Sequence, residues 1–148
     1  MILELHQEVG LNILQEILKI LPHRDSALYI DRVISFDLDS IHAQFELKAT
    51  HHCLVGHFPD RPIMPAFVMI ECISQAGAIL LNDQRIPVIV KIEKAKFRTF
   101  IEPDAILDIF VQAKHISVQG GKFSGFIMVE EIKVCEVVVL FKLWKGYE

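Results

Sequence analysis

Residues 56–75 read GHFPDRPIMPAFVMIECISQ. A loop holding one histidine, His57, runs through three prolines, Pro59, Pro62 and Pro65, into a stretch that is apolar on nearly every side. Proline is tolerated in the first helical turn, where its missing N–H loses no partner, so Pro65 points to a helix beginning there. The strongly polar side chains before the end of that helix are Glu71 and Gln75. They are one helical turn apart and share a face. A carboxylate in an apolar helix is desolvated and is expected to rise in pKa unless something pairs with it, a cost that marks chemistry. The free N–H groups at the helix start, with the helix dipole, suit a developing oxyanion.

Around this stretch lie 148 residues, 52% of them hydrophobic, which is enough for one domain (1–148) with a large core. The formal charge of −4 and a pI near 6.0 give no general attraction to nucleic acid or to an anionic membrane. An acidic partner must therefore meet a local basic patch. Cys53, Cys72 and Cys135 are odd in number and form no Cys-x-x-Cys pair, so reduced thiols and a cytoplasmic chain are expected. The opening residues 1–10 lack a basic segment followed by an apolar run, so no signal peptide is expected. The longest apolar stretch, residues 66–81, contains Glu71 and Gln75 and falls short of the roughly 20 residues that span a bilayer.

Before the loop, Leu14, Ile17, Leu18 and Leu21 recur at helical spacing from about Leu11, and Pro22 stops the helix. Residues 27–36 read as a first strand, interrupted at Asp31-Arg32, and Ile41, Ala43, Phe45, Leu47 and Ala49 alternate as a second. The central helix ends near Asn82-Asp83. Four strands arranged as a meander then fill the chain, with breaks at Pro103-Asp104, Gly120-Gly121 and Glu130-Glu131. The apolar parity changes between Val88 and Ile101, which calls for a bulge near Glu93-Lys94. The last two strands are apolar on both parities, as strands buried on both faces or covered by a partner subunit would be. The result is an α+β domain in which a curved antiparallel sheet wraps a long central helix, with an exposed sheet edge that favours a dimer with a continuous sheet.

Five segments carry a resemblance: Leu21-Pro-His-Arg, Ile30-Asp-Arg-Val, Gly56-His-Phe-Pro-x-x-Pro-x-Met-Pro65, Ile70-Glu-x-x-x-Gln75 and Lys94-Ala-Lys-Phe-Arg98. In order and spacing the chain resembles the (3R)-hydroxyacyl-[acyl-carrier-protein] dehydratases of bacterial type II fatty-acid synthesis, which have the hot-dog fold. The resemblance implies dehydration of a (3R)-3-hydroxyacyl thioester on acyl carrier protein to the trans-2-enoyl thioester. It implies His57 and Glu71 as the catalytic pair, with Glu71 coming from the facing subunit of a homodimer, and it leaves room for a trimer of dimers. No metal or organic cofactor is implied. His51, His52, Cys53 and His57 do not complete a metal shell, because adjacent histidines rarely face one ion.

The chemistry of the residues agrees with these roles. Elimination needs a base for the C2 proton, an acid for the leaving hydroxyl and a donor for the enolate-like oxygen. His57 suits the base, Glu71 kept neutral by its apolar neighbours suits the acid, and the Ala66 backbone N–H suits the third role. Other divisions of the two side-chain roles, for example through a water, stay open. Gln75, Phe58 and Pro65 are candidates to position substrate. Among Arg24, Arg61, Lys91, Lys94, Lys96 and Arg98, the pair Lys96 and Arg98 is singled out for docking the acidic carrier protein or its phosphopantetheine phosphate.

The chain departs from the family pattern at three places. Ala66 replaces a glycine, Asp25-Ser26 replaces Tyr-Pro, and Glu130-Glu131 replaces an Asp-Gly hairpin. Two alternatives follow from the same residues: a hot-dog acyl thioesterase, and a catalytically silent acyl-carrier-binding paralogue that Ala66 would favour.

Overall fold

The computed structural model describes residues 12–146. Helix α1 (Asn12–Ile20) buries Ile17, and Leu21 beyond its end, while Leu14 stays 43% exposed. The expected helix start at Leu11 and the opening ten residues lie outside the described residues. Strands β1 (Arg32–Phe36) and β2 (Ser40–Leu47) form a hairpin. Helix α2 (Ala66–Leu81) follows the proline loop and ends at Asn82 in the left-handed conformation that suits a helix C-terminus. Strands β3 (Ile86–Phe97), β4 (Ala105–Lys114), β5 (Gly120–Val129) and β6 (Ile132–Trp144) complete a six-stranded antiparallel sheet. Among the described residues no helix is long and apolar enough to cross a membrane.

The sheet order is β1-β2-β4-β5-β6-β3. The expected meander therefore holds for β4, β5 and β6 but not for β3, which pairs with β6 at the far edge. The loop after β3 carries the chain back across the sheet, fixed by Met64 N–H donating to the Ile101 carbonyl oxygen at 2.9 Å. This is the hot-dog arrangement, with α2 lying on β2, β4 and β5. Val68, Cys72, Ile73 and Ala76 of α2 share one core with Ile109, Phe123, Ile127 and Val137 of the sheet. At Gly77 the helix touches the sheet directly, since an added Cβ would lie 2.7 Å from the Phe123 ring.

Two strand expectations need correction. The first strand covers Arg32–Phe36 rather than residues 27–36, because Asp25–Ala27 is a 3-10 turn and the Tyr29 N–H is spent on the Gln75 side chain instead of a neighbouring strand. Its irregularity falls between Val33 and Ser35 rather than at Asp31-Arg32. Gly120-Gly121 opens β5 instead of breaking the chain, and the turn lies just before it. Gly120 sits against β6 so closely that a Cβ would meet the Phe141 carbonyl oxygen at 2.1 Å. The parity change in β3 is resolved by two register shifts, one at the expected Glu93 and a second at Val90. In β6 Val137, Val139 and Phe141 are buried, whereas Val138 and Leu140 on the opposite parity are half-buried.

Glu130 and Glu131 form the two-residue turn between β5 and β6, at φ of 48° and 67°. Positive φ at both central residues is the type I′ hairpin, which glycine enters more readily than a residue with a Cβ. We expect Glu131→Gly to stabilise the fold by about 0.5–1 kcal/mol. In urea denaturation the midpoint should rise with an unchanged slope. An unchanged or lower midpoint would show that the turn carries no strain.

Candidate active site

The proline loop is stapled across its base. Ile63 N–H donates to the His57 carbonyl oxygen at 2.8 Å, and His57 Nδ1 lies 2.9 Å from the Ile63 carbonyl oxygen. A carbonyl oxygen only accepts, so Nδ1 carries the hydrogen of this bond and Nε2 of the neutral ring is left with its lone pair. The Phe58 ring stacks on the imidazole at 4.3 Å and remains 53% exposed, and the His57–Phe58 peptide bond is cis. Pro65 is buried at the N-cap of α2. Ala66 follows at the first helical position, exposed, with an N–H that no helical carbonyl can reach.

One turn beyond Glu71 in α2, the Gln75 amide makes bonds in three directions. Its Oε1 accepts from the Tyr29 N–H at 2.8 Å, and its Nε2 donates to the Ala27 carbonyl oxygen at 2.8 Å and to Glu71 Oε1 at 2.9 Å. Gln75 is 1% exposed, the one buried polar side chain among the described residues. It ties the segment before β1 to the helix and orients Glu71. All three bonds are internal to the chain, and Gln75 lines the same cavity as Glu71.

Glu71 also differs from expectation. His23 Nε2 lies 3.1 Å from Glu71 Oε1. The hydrogen bond from His23, aided by that from Gln75, outweighs burial and holds the Glu71 carboxyl below the usual carboxylate range. The sequence-based expectation of a raised, neutral Glu71 fails because His23 and Gln75 reach its carboxylate, and the partner 48 residues away leaves no mark on the sequence around Glu71. Glu71, His23, Ser74 and Gln75 line a cavity of about 600 Å³ that runs between the end of α1, α2 and the start of β3. His57 is not among its lining residues. Among the described residues, His57 therefore stands outside the cavity that Glu71 lines.

The basic candidates are divided. Arg24 donates to the Leu18, Leu21 and His23 carbonyl oxygens, and Arg61 pairs with Glu102 at 2.6 Å. Arg98 pairs with Glu136 at 2.6 Å, the leading reason that this carboxyl sits at about 2. Lys94 and Lys133 approach the same carboxylate. Lys96 is exposed near the end of β3. Sequence reasoning quoted His23 within a motif but gave it no role. Its place directly after the helix-stopping Pro22 was the available signal.

Comparison with known proteins adds the following. A family model described as ApeI dehydratase, of the ApeI-like group, matches residues 34–132. The 3-hydroxyacyl-[acyl-carrier-protein] dehydratase FabZ of Chlamydia abortus is 41% identical over 121 residues, covering 76% of this chain and 79% of that protein. Among solved structures, the dehydratase heterocomplex ApeI:P from Xenorhabdus doucetiae superposes with a TM-score of 0.72 at 16% identity, covering 86% of this chain and 90% of that one. A mutant thioesterase PA1618 from Pseudomonas aeruginosa gives 0.66 at 12% identity, covering 93% and 96%. The last two are likenesses of fold.

Replacing Gln75 by leucine leaves the Tyr29 N–H and the Ala27 carbonyl oxygen without their partner. Unpaired groups of this kind cost roughly 1–3 kcal/mol each, so Gln75→Leu should lower stability by about 2–4 kcal/mol. Chemical denaturation checks this, and a loss under 1 kcal/mol would mean that water replaces the amide.

Proposed function

The chain belongs to the 3-hydroxyacyl-[acyl-carrier-protein] dehydratase family, and from that membership we propose how its residues divide the work. It is a hydro-lyase that converts (3R)-3-hydroxyacyl-[acyl-carrier-protein] to the trans-2-enoyl thioester in fatty-acid or related acyl-chain synthesis. His57 Nε2 takes the C2 proton and Glu71 gives a proton to the departing 3-hydroxyl. The C2–H and C3–O bonds break, the C2=C3 double bond forms and water leaves. His57 ends protonated and Glu71 ionised, and exchange with solvent resets both. The Ala66 N–H, at the positive end of α2, faces the thioester oxygen as charge gathers on it. The observation that carries this reading is the bond from His57 Nδ1 to the Ile63 carbonyl oxygen, which leaves Nε2 as the basic atom.

The two donors on Glu71 favour its ionised form while the cavity is open to water. A bound acyl chain and a covering subunit remove that water and favour the neutral acid that the reaction needs. The site is completed between two subunits, His57 from one and Glu71 from the other. Supporting this are the separation of His57 from the Glu71 cavity within one chain and the apolar side chains bare on edge strand β3, Val88 at 42%, Val90 at 53% and Ile92 at 49%. Exposed Phe58 and Phe67 flank the loop and the helix start. Acyl carrier protein is the substrate's carrier, and Lys96 with the Arg98 cluster is the docking patch. Three free cysteines accord with a reducing, cytoplasmic setting. The thioesterase alternative has a likeness of fold alone behind it.

Hydration of a crotonyl thioester, followed by loss of enoyl absorbance, tests the pair. We expect His57→Ala and Glu71→Gln each to lose roughly 10²-fold or more in kcat. A variant with near wild-type turnover would remove that residue from the chemistry. Co-expressing the two inactive variants tests the shared site. Random pairing makes half of the dimers mixed, each with one intact composite site, so about a quarter of wild-type activity should return. No recovery would place both residues of each site in one chain.

A further inference from the structure

Two donors converge on one oxygen of Glu71. His23 Nε2 and Gln75 Nε2 both meet Oε1, at 3.1 and 2.9 Å. Among the described residues no group donates to Oε2. His23 is held in place by its own segment: Pro22 ends α1, and the Arg24 guanidinium donates to the Leu18, Leu21 and His23 carbonyl oxygens at 2.8, 2.6 and 2.7 Å. That back-bonding fixes the turn carrying the imidazole. His23 Nδ1 and Ser74 Oγ are shut from solvent without a partner, and both residues line the cavity that Glu71 lines. A side chain that merely filled this wall would avoid such desolvation by being apolar.

Resting on the acid role assigned to Glu71 above, we propose that His23 is a positioning residue for it: His23 and Gln75 together fix Oε1, so that Oε2 carries the proton given to the leaving hydroxyl. The assignment follows from valence. An oxygen that accepts two N–H bonds has its lone pairs engaged, and the acidic proton goes to its partner. Holding one oxygen also fixes the direction in which the other presents that proton.

Other charged groups around the cavity are occupied elsewhere. Lys19 pairs with Glu16, Arg24 with backbone carbonyl oxygens, and Asp83 with Arg85. Residues 86–89 of β3 contribute apolar walls. Tyr29, close enough to feel the charge on Glu71, lies on the segment tied down by Gln75. His23 is thus the neighbouring side chain whose nitrogen meets the carboxylate from outside α2.

The sign of the pH effect is fixed. His23 holds the Glu71 carboxyl down, so removing its donor raises that pKa. In the hydration direction Glu71 starts ionised and takes the proton of water, so a raised pKa keeps it protonated to higher pH and the acid limb of kcat moves upward. The rate at the optimum falls because the carboxyl has lost its aim.

The test uses the purified full-length protein and crotonyl-thioester hydration across pH, with His23→Phe, a ring without a donor, and His23→Gln, an amide donor. His23→Phe should lower kcat about 10-fold or more, with KM within about 2-fold, and shift the acid limb upward. His23→Gln should recover most of the rate. In the Glu71→Gln background, His23→Phe should cost little further. Carboxyl 13C titration of Glu71 should show the raised pKa independently of turnover. If Glu71→Gln is as active as wild type, the acid role itself fails. If Glu71→Gln is inactive but His23→Phe leaves rate and limb unchanged, or His23→Gln is equally impaired, His23 is a wall residue and the inference is overturned. Should His23→Phe not fold, His23→Asn, whose shorter amide stops short of Oε1, takes its place beside His23→Gln with the same outcomes.

Discussion

One buried amide governs how this site is assembled. Gln75 joins the chain before β1 to the central helix and spends its remaining donor on Glu71. A buried amide left unpaired is costly, so the three bonds stand or fall together. The segment from Ala27 to Tyr29 is consequently docked on the helix instead of extending the sheet. That docking also brings Leu21-Pro-His-Arg over the face of α2 where the carboxylate lies. The amide that packs this segment against the helix is thus the one that holds the carboxylate.

The electrostatics of Glu71 follow from that docking. A carboxylate alone in an apolar helix would be pushed toward neutrality, yet this one receives two N–H donors and is pulled the other way. The opposing influences make its protonation responsive to water in the cavity. Emptying the cavity favours the acid, and filling it with water favours the anion. The proline loop needs no such balance. His57 is aimed by a backbone bond within its own loop, which leaves its basic nitrogen independent of what happens at α2.

Much of this was legible in the residues. Pro65 and Asn82-Asp83 mark the bounds of α2, the alternation of Ile41, Ala43, Phe45 and Leu47 marks β2, and the parity break near Glu93 marks a bulge. Each signal is local, carried by side chains a few residues apart. The larger failures are long-range. The far-edge position of β3 depends on pairing with β6, more than 40 residues later in several rungs. The short β1 and the charge state of Glu71 depend on contacts 46 and 48 residues away in sequence, from Gln75 to Tyr29 and from Glu71 to His23. Periodicity cannot report a hydrogen bond of that span. The family motif could locate His23 but not explain it.

Strand β3 raises a problem of a different kind. It closes one end of the sheet with twelve residues whose outer hydrogen-bonding groups find no strand among the described residues. Such a ladder accepts any extended segment, and a newly made chain meets many before it meets its own copy. Val88, Val90 and Ile92 would make wrong pairings adhesive, but Lys91, Lys94 and Lys96 set like charges along the rim, and the shifts at Val90 and Glu93 break its regularity. Only a strand with matching bends can zip along its whole length. The irregularities that cost the β3–β6 ladder some regularity thus work against amyloid-like stacking along this edge.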